Sequence, residues 1–323
     1  MAKGIRIATI GAASFLTLLG LFSIAFAGPL KVASFNIQFL GHFKKKENQA
    51  LAQLLSHYDL VFIQELVAPP QNGKYPNGEP YKTDKEAKDF FDAMAVHGFI
   101  SELSEEDTGT GDYIHKNSSA TEWFVVFYKP GIVSPVGDLP HGFLAADRSN
   151  NDDFERVPYA FSFRAGESDL VFISVHLQPG GSVEETERRA HELLSIFNWI
   201  GKQPGMERDY VILGDMNIED CEELKSILPQ GYASLNDACS PTNTNPNRPK
   251  PYGHVLYNVL YTSNELLTDQ FQVIDLIEAM KTTWSTSEGA YPGDPYDHKE
   301  FRMRYSDHHP IAFKIATNGM DDD

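Results

Sequence analysis

Short apolar runs that border polar clusters recur along the whole of this 323-residue chain. A run that is apolar at every position is typical of a strand buried on both faces, which restricts the chain to folds built on a covered sheet. Polar residues at strand ends are held by the core and reached through the loops, so sites form there. The polar residues beside five such runs are Asn36, Glu65, His176, Asp215 with Asn217, and Asp307 with His308.

Predicted helices and strands are mixed along the chain. Residues at helical spacing predict helices within 44–57, 84–96 and 183–200. Strands are predicted at 30–39, 60–63, 123–128, 159–163, 170–175, 211–213, 255–261 and 310–315. Because many of the strand connections are short, this order predicts an α/β sandwich with mixed sheets flanked by helices, rather than a strictly parallel sheet.

The composition is acidic, which bears on the partners of the chain. The formal charge of −18 argues against a protein that grips nucleic acid through a broad basic face. It does not exclude local contact with phosphates where a metal ion supplies positive charge. With 41% hydrophobic residues and no internal repeat, a single domain is predicted over residues 28–318, followed by an acidic tail at 319–323.

The first residues have the pattern of a targeting segment. Lys3 and Arg6 precede an apolar stretch, residues 7–27, that ends in the small-x-small pattern of residues 25–27. This predicts a secretory signal cleaved after Ala27. The alternative is an uncleaved anchor, because the stretch is long enough to cross a bilayer. With cleavage, we expect a periplasmic or secreted protein that has no membrane association.

The chain has two cysteines, Cys221 and Cys239. In an exported protein they are expected to form a disulfide, and the alternative is a pair of buried free thiols.

Each polar cluster also has a reading without catalysis. Glu65 can be interpreted as a solvated residue at the end of a strand. Asp215 can be interpreted as the cap of a helix starting near Glu219. A histidine such as His176 at a strand end is more often a hydrogen-bonded structural residue than a catalytic one. The occurrence of all the clusters in one chain, in a particular order, favours a functional site.

In that order the clusters resemble the DNase I-like endonuclease/exonuclease/phosphatase superfamily. The resemblance covers about residues 30–316. The segments that carry it are Ala33-Ser34-Phe35-Asn36-Ile37, Ile63-Gln64-Glu65-Leu66, Ser174-Val175-His176-Leu177, Gly214-Asp215-Met216-Asn217 and Ser306-Asp307-His308-His309-Pro310. Two further segments, Thr121-Glu122-Trp123 and Phe154-Glu155-Arg156-Val157-Pro158, are similar to the deoxyribonuclease I branch, and Cys221 stands about where that branch has a disulfide cysteine.

The resemblance implies a four-layer α/β sandwich, in which two mixed β-sheets pack face to face with helices outside. It also implies phosphodiester hydrolysis that depends on a divalent metal, usually Mg²⁺, with Mn²⁺ or Ca²⁺ possible. The expected metal ligands are Glu65, Asp307 and Asn36, which offer the hard oxygen atoms that such ions prefer.

The resemblance further implies roles for the other clusters. Asp215 and Asn217 would orient the attacking water and the phosphate, and His176 and His308 would transfer protons and stabilise the phosphate. Glu122 would fix the tautomer of His176. Arg156 is a predicted phosphate contact, and a structural ion pair is an equally good interpretation of that residue.

One position departs from the family pattern. Where the family has Tyr-Asp-x-(Ile/Val), this chain has Tyr252-Gly253-His254-Val255, so the carboxylate expected to pair with His308 is missing. Asp237, Asp294 and Asn258 are candidate substitutes. Loss of such a partner in a coupled catalytic group lowers the rate by orders of magnitude, so we expect reduced activity rather than none.

The sequence therefore predicts an exported, metal-dependent endonuclease that hydrolyses DNA, with no stable protein partner implied. Two alternatives remain open. The first is a phospholipid diesterase similar to sphingomyelinases, or a small-phosphate diesterase. The second is a catalytically weakened binding module, which only Gly253 supports.

Overall fold

A computed structural model of the protein describes residues 28–109, 121–148, 151–205, 207–285, 289–292 and 298–317. The predicted signal segment at 1–27, the acidic tail at 319–323 and Asp294 lie outside these residues. Within them, no helix is both long enough and apolar enough to cross a membrane.

Fifteen strands and six α-helices make up the described part of the fold. The strands are β1 (Leu30–Leu40), β2 (Leu60–Leu66), β3 (Gly73–Lys74), β4 (Pro80–Tyr81), β5 (Ile100–Leu103), β6 (Trp123–Tyr128), β7 (Ser134–Pro135), β8 (Gly142–Phe143), β9 (Tyr159–Ala165), β10 (Ser168–His176), β11 (Tyr210–Asp215), β12 (Tyr232–Ser234), β13 (Gly253–Asn258), β14 (Gln272–Val273) and β15 (Ile311–Ile315). The helices are α1 (Asn48–Leu55), α2 (Lys85–Val96), α3 (Val183–Ile200), α4 (Cys221–Ile227), α5 (Leu276–Met280) and α6 (Lys299–Arg304), and a 3₁₀ turn spans Thr268–Gln270.

The strands form two large mixed sheets. The first sheet has the order β14-β15-β1-β2-β6-β5, and the second has the order β12-β13-β11-β10-β9-β7, with β8 also paired to β9. In each sheet one central pair is parallel, β1 with β2 and β10 with β11, while the other pairs are antiparallel. The predicted mixed sheets are therefore confirmed.

The two sheets pack face to face, and helices cover their outer faces. Phe62 of the first sheet meets Phe172 of the second, with ring centroids 5.1 Å apart in a continuous apolar cluster. The outer face of the first sheet packs against α1 and α2, and the outer face of the second packs against α3. This arrangement confirms the four-layer sandwich, and it leaves only the rims of the sheets open.

Capping residues define where the helices begin. Asp84 accepts hydrogen bonds from two backbone N–H groups of α2, and Ser182 and Glu185 form a reciprocal capping box at the start of α3. Asp220 caps α4, so the alternative of Asp215 as that cap does not hold. A disulfide joins Cys221 of α4 to Cys239.

The strand predicted at 255–261 is confirmed in part, but it starts two residues earlier and ends three residues earlier than predicted. It begins at Gly253 and ends at Asn258, because Gly253 and Leu256 already pair with the neighbouring strands. The apolar residues that follow, Val259, Leu260 and Tyr261, are exposed beyond the strand. Between β2 and α2, residues 73–81 contain the small hairpin of β3 and β4.

Candidate active site

Strand register brings the polar clusters to one rim of the sandwich. In the second sheet His176 pairs with Asp215, and Asp215 pairs with Gly253, so the ends of three adjacent strands meet there. In the first sheet Asn36 pairs with Gln64, next to Glu65. The two sheets are joined at this rim by Asn36, whose Nδ2 donates to Asp215 Oδ2 at 2.8 Å and to Glu65 Oε1 at 2.8 Å.

Gly214 is required by the close approach of β10 and β11. Its φ is +141°, and a Cβ at this position would lie 2.1 Å from the carbonyl oxygen of Val175. No side chain fits such a contact. The glycine that opens the Gly-Asp-x-Asn motif therefore allows the close strand pairing that sets Asp215 beside His176.

Bulges turn Glu65 toward the rim. Strand pairing shifts register between Asn36 and Leu40 and again between Ile63 and Leu66. Three non-glycine residues in these segments, Gln38, Phe39 and Glu65, have positive φ. Such strain is maintained only where surrounding bonds hold it. Here the Glu65 carboxylate accepts from Asn36 and from the backbone N–H of Phe39, and the Glu65 N–H donates to Glu122 Oε2 at 2.6 Å.

His176 is buried and paired with a carboxylate. Its Nδ1 lies 3.1 Å from Glu122 Oε1 and 3.2 Å from Glu122 Oε2. Burial and the Arg156 charge oppose protonation, but Glu122 and Asp215 outweigh them and raise the pKa of His176 above its ordinary value. Burial likewise opposes ionisation of Glu122, yet His176 and Arg156 hold the pKa of Glu122 below its ordinary value. The pair therefore favours the charged forms of both groups.

Arg156 lies beneath this pair. It is 2% exposed, its Nε is 3.6 Å from Glu122 Oε1, and its Nη1 donates to the carbonyl oxygens of His176 and Leu177. These contacts favour the structural ion pair over the predicted phosphate contact. Asn217 is also turned toward the backbone, since its Nδ2 donates to the Leu177 carbonyl at 3.0 Å.

Asp215 stands between the two imidazoles. Its Oδ2 is 3.6 Å from His176 Nε2 and 3.4 Å from His308 Nε2. Burial opposes its ionisation, but His308, His176 and Asn36 together hold the pKa of Asp215 below its ordinary value. An ionised carboxylate between two imidazoles can orient a water molecule and receive or stabilise a proton on either side.

Asp307 faces a different set of partners. Gln38 Nε2 donates to its Oδ2, and Arg302 Nη2 lies 3.2 Å from the same oxygen. The other oxygen, Oδ1, is buried and has no hydrogen-bond partner among the described residues. A buried carboxylate oxygen that lacks a donor is suited to a cation.

The acidic groups of the rim fit a divalent metal. One ligand atom each from Glu65, His176 and Asp215 lies within 4.8 Å of the others. Burial raises the pKa of Glu65, and the nearby charges of Asp307 and Glu122 add to the effect. A divalent cation would relieve this repulsion. The predicted ligands were Glu65, Asp307 and Asn36, so the tight group shares only Glu65 with them, and the role of each ligand stays a prediction.

His308 lacks the carboxylate partner that His176 has. Among the described residues, the carboxylates near its ring are Asp215 and Asp307, and both face Nε2, at 3.4 Å and 3.7 Å. A small cleft of about 10 Å³, room for about one water molecule, is lined by Gly253, Thr242 and His308, among other residues. Of the candidate substitutes, Asn258 ends β13, roughly 17 Å along the strand from Gly253. The ion pairs of His308 within the described residues are with Asp215 and Asp307, not with Asp237.

Three residues of the rim were missed by sequence reasoning. Gln38 lies two residues after Asn36, and strand periodicity could have indicated that it points to the same side. Arg302 lies five residues before Asp307, where only its position in a short helix next to the motif was a signal. The third residue is the buried Lys46. Burial lowers the pKa of Lys46 to about 7, although the charges of Asp307 and Glu65 oppose the shift.

Comparisons with known proteins identify the family of the chain. Residues 33–308 match the model of the endonuclease/exonuclease/phosphatase family. The chain belongs to this family. The chain is a hydrolase of this family that acts on phosphodiester bonds.

Two relatives are deoxyribonucleases. The chain is 24% identical over 316 residues to a deoxyribonuclease of Thioalkalivibrio sp. (strain K90mix), which covers 97% of this chain and 78% of that protein. It is 24% identical over 215 residues to deoxyribonuclease-1 of Mus musculus, which covers 63% of this chain and 65% of that protein.

Solved structures share the fold. A family protein from Leptotrichia buccalis C-1013-b superimposes with a TM-score of 0.55 at 14% identity, over 89% of this chain and 99% of that one. The TDP2 protein of D. rerio, complexed with a single-strand DNA product, superimposes with a TM-score of 0.52 at 15% identity, over 90% of this chain and 99% of that one.

Proposed function

We propose that the protein is an exported, metal-dependent endonuclease that hydrolyses DNA. The observation that carries the proposal is the convergence on Asp215 of Asn36, His176 and His308, whose nitrogens lie 2.8, 3.6 and 3.4 Å from its Oδ2. The two deoxyribonuclease relatives support DNA as the substrate.

Glu65, Asp215 and Asp307 would hold the ion, with Asn36 beside them. When bound, Mg²⁺ would supply positive charge against the phosphate oxygens as negative charge develops on them. Gln38 and Asn36 fix the carboxylates before substrate arrives, because their amide nitrogens already donate to Asp307, Glu65 and Asp215. This preorganisation lowers the reorganisation needed during the reaction.

The two imidazoles divide the proton transfers. His176, held at Nδ1 by Glu122, directs Nε2 toward Asp215 and the rim. His308 directs its Nε2 toward the same carboxylate from the other side. One imidazole serves as the base for the attacking water, while the other donates a proton to the leaving oxygen or stabilises the phosphate.

The placement of exposed apolar residues favours nucleic acid over a lipid surface. Val259, Leu260 and Tyr261 are the consecutive exposed apolar residues of the described chain. They follow the far end of β13, roughly 20 Å along the strand direction from Gly253 at the rim. An apolar segment in this position does not bring a membrane to the carboxylates.

The test of activity uses the mature chain, residues 28–323. We expect it to nick supercoiled DNA with Mg²⁺, to lose that activity with EDTA and to regain it on adding Mg²⁺. His176→Ala is the matched inactive variant. A choline phospholipid and a nucleotide phosphodiester are assayed in parallel. Turnover of lipid alone, or DNA nicking that survives both EDTA and His176→Ala, would contradict the proposal.

Export rests on residues 1–27 and has its own test. The full chain, expressed in a bacterial host, is expected to yield a protein that begins at Gly28 in the periplasm or medium. N-terminal sequencing and mass spectrometry measure the start. A protein that keeps Met1 and pellets with the membrane would support the uncleaved anchor.

A further inference from the structure

Helix α6 carries a half-exposed guanidinium to the edge of the carboxylate cluster. Arg302 Nη2 lies 3.2 Å from Asp307 Oδ2, and Arg302 Nε donates to Gln38 Oε1 at 3.3 Å. The Arg302 side chain is 39% exposed, more than the 25% of the Asp307 side chain it contacts. The guanidinium therefore reaches from the cluster toward solvent.

A buried lysine fixes the position of this helix. Lys46 Nζ donates to the carbonyl oxygens of Tyr305 and Arg302, at 2.5 Å and 3.5 Å. The Glu47 N–H donates to the carbonyl of Arg304 at 2.9 Å. Because the end of α6 is bonded to the segment after β1, Arg302 is held beside Gln38 and Asp307.

Without Arg302, the negative charge of the rim and of a bound phosphodiester is only partly neutralised. The carboxylates of Glu65, Asp215 and Asp307 carry three negative charges, of which one divalent ion offsets two. A phosphodiester adds one more, in a chain whose formal charge is already −18. Arg156 does not help, because it is buried against Glu122. Arg302 is the cation of the described rim that touches a carboxylate of the cluster and is also exposed.

A guanidinium has five N–H donors in a planar fork, and Asp307 and Gln38 face only part of that fork. Planar, bidentate contact with phosphate oxygens is what this group does best. We propose that Arg302 binds the phosphodiester backbone of the substrate, on the Asp307 side of the metal cluster. This proposal rests on the proposed function and adds a substrate-binding residue to it.

The experiment compares Arg302→Ala with Arg304→Ala. Arg304 is in the same helix but pairs with Glu47 and Glu300, away from the carboxylate cluster. For Arg302→Ala we expect KM for DNA to rise about tenfold, with a smaller change in kcat, and weaker inhibition by inorganic phosphate. Arg302→Lys should restore part of the affinity, and Arg304→Ala should stay within about twofold of the parent protein.

A binding measurement that needs no turnover separates this proposal from the endonuclease proposal. Fluorescence anisotropy of a labelled duplex is recorded with His176→Ala protein, with and without Arg302→Ala, across a salt series. Loss of one phosphate contact reduces the slope of log affinity against log salt by about 1. If Arg302→Ala changes the salt slope of duplex binding but the parent protein cleaves no DNA, the endonuclease proposal is contradicted and the phosphate-binding role of Arg302 is supported.

A metal titration tests whether Arg302 only positions Asp307. Titration with Mn²⁺ should give the same affinity with and without Arg302→Ala, or a tighter one for the variant. If Arg302→Ala instead weakens Mn²⁺ binding and lowers kcat, with an unchanged salt slope and unchanged phosphate inhibition, Arg302 only positions Asp307 and the inference is overturned.

Discussion

The two imidazoles that face Asp215 have different surroundings. On one side His176 is 4% exposed, and its Nδ1 is bonded to Glu122, which is itself backed by Arg156. On the other side His308 packs beside Tyr252, with ring centroids 5.7 Å apart, and opens onto the cleft at Gly253. Both rings reach the same carboxylate oxygen, but only the first ring has a carboxylate behind it among the described residues.

This difference indicates which half of the site is fixed by electrostatics. A carboxylate on Nδ1 holds one tautomer and stabilises the imidazolium, so it raises the basicity of the ring. His176 has this support, and its pKa is raised accordingly. His308 is positioned by packing and by its backbone, because its backbone N–H donates to Ser306 Oγ. We expect the two halves to respond differently to substitution.

The largest expected effect is the loss of kcat when each histidine is replaced, and the loss should differ between the two. His176→Ala should lower kcat for DNA by about 10⁴-fold, and His308→Ala by about 10²-fold, the upper and lower ends of the usual range for acid–base groups. The measurement is steady-state nicking at saturating Mg²⁺. His191→Ala is the control and should have no effect, because His191 lies on α3 and pairs with Asp153 at the exposed surface. Equal losses at the two positions would remove the asymmetry.

The next effect tests the carboxylate behind His176. Glu122→Gln keeps the shape but removes the charge, so kcat should fall by about 10²–10³-fold with little change in KM. Glu102→Gln is the matched control, because Glu102 forms an analogous pair with His141, at 3.2 Å, elsewhere in the molecule. A KM effect without a kcat effect would mean that Glu122 does not act through His176.

A gain of function is expected on the other side. Gly253→Asp places a carboxylate in the cleft next to His308 and should raise kcat by about tenfold. The backbone accepts a side chain there, because a Cβ would meet Ile311 and Thr242 at 3.4 Å, an ordinary contact.

Gly253→Ala is the control for this gain, since it fills the same space without a charge. Kinetics are compared after circular dichroism has verified that both variants fold. Equal rates for parent and Gly253→Asp would mean that another group already supports His308.

The last prediction concerns the stability of the fold, rather than catalysis, on the His308 side. His254 follows Gly253 in β13, is buried, and has its Nδ1 2.9 Å from Ser234 Oγ. Burial lowers the pKa of His254 to about 4, so its contribution to stability is complete above about pH 6.5 and is lost as the pH falls toward 4. The total loss is about 3 kcal/mol.

His254→Asn can keep the bond to Ser234 but cannot titrate. Urea unfolding at pH 7 and pH 4.5 measures the difference in unfolding free energy. We expect the parent protein to lose more stability than the variant across this interval. A parallel loss in both proteins would mean that His254 does not titrate as its burial requires.

Much of the fold could be predicted from the sequence because its elements carry local signals. The helix at Val183–Ile200 and the strand at Trp123–Tyr128 were predicted with their observed ends, since acidic residues begin the helix and Pro130 and Gly131 follow the strand. The strand at Gly253–Asn258 was misplaced, because Val259 and Leu260 continue the apolar pattern after strand pairing stops.

The site was harder to predict beyond its motif residues. The five clusters were found because each borders a strand, and the structure brings them to one rim. Gln38, Lys46 and Arg302 act across sequence separations of more than 250 residues, through Asp307, Tyr305 and Gln38. Contacts of this range depend on tertiary packing, for which a single sequence has no local signal.

The pairing of His176 with Asp215 and of Asp215 with Gly253 has a consequence for divergence within such proteins. Inserting one amino acid into Tyr210–Asp215 would turn the aspartate to the opposite face of its sheet and separate it from both rings. Surface loops tolerate changes in length more readily than the strands that they connect. Variation and directed evolution should therefore find length changes tolerated in exposed loops away from the rim, but only substitutions tolerated within the three strands that build it.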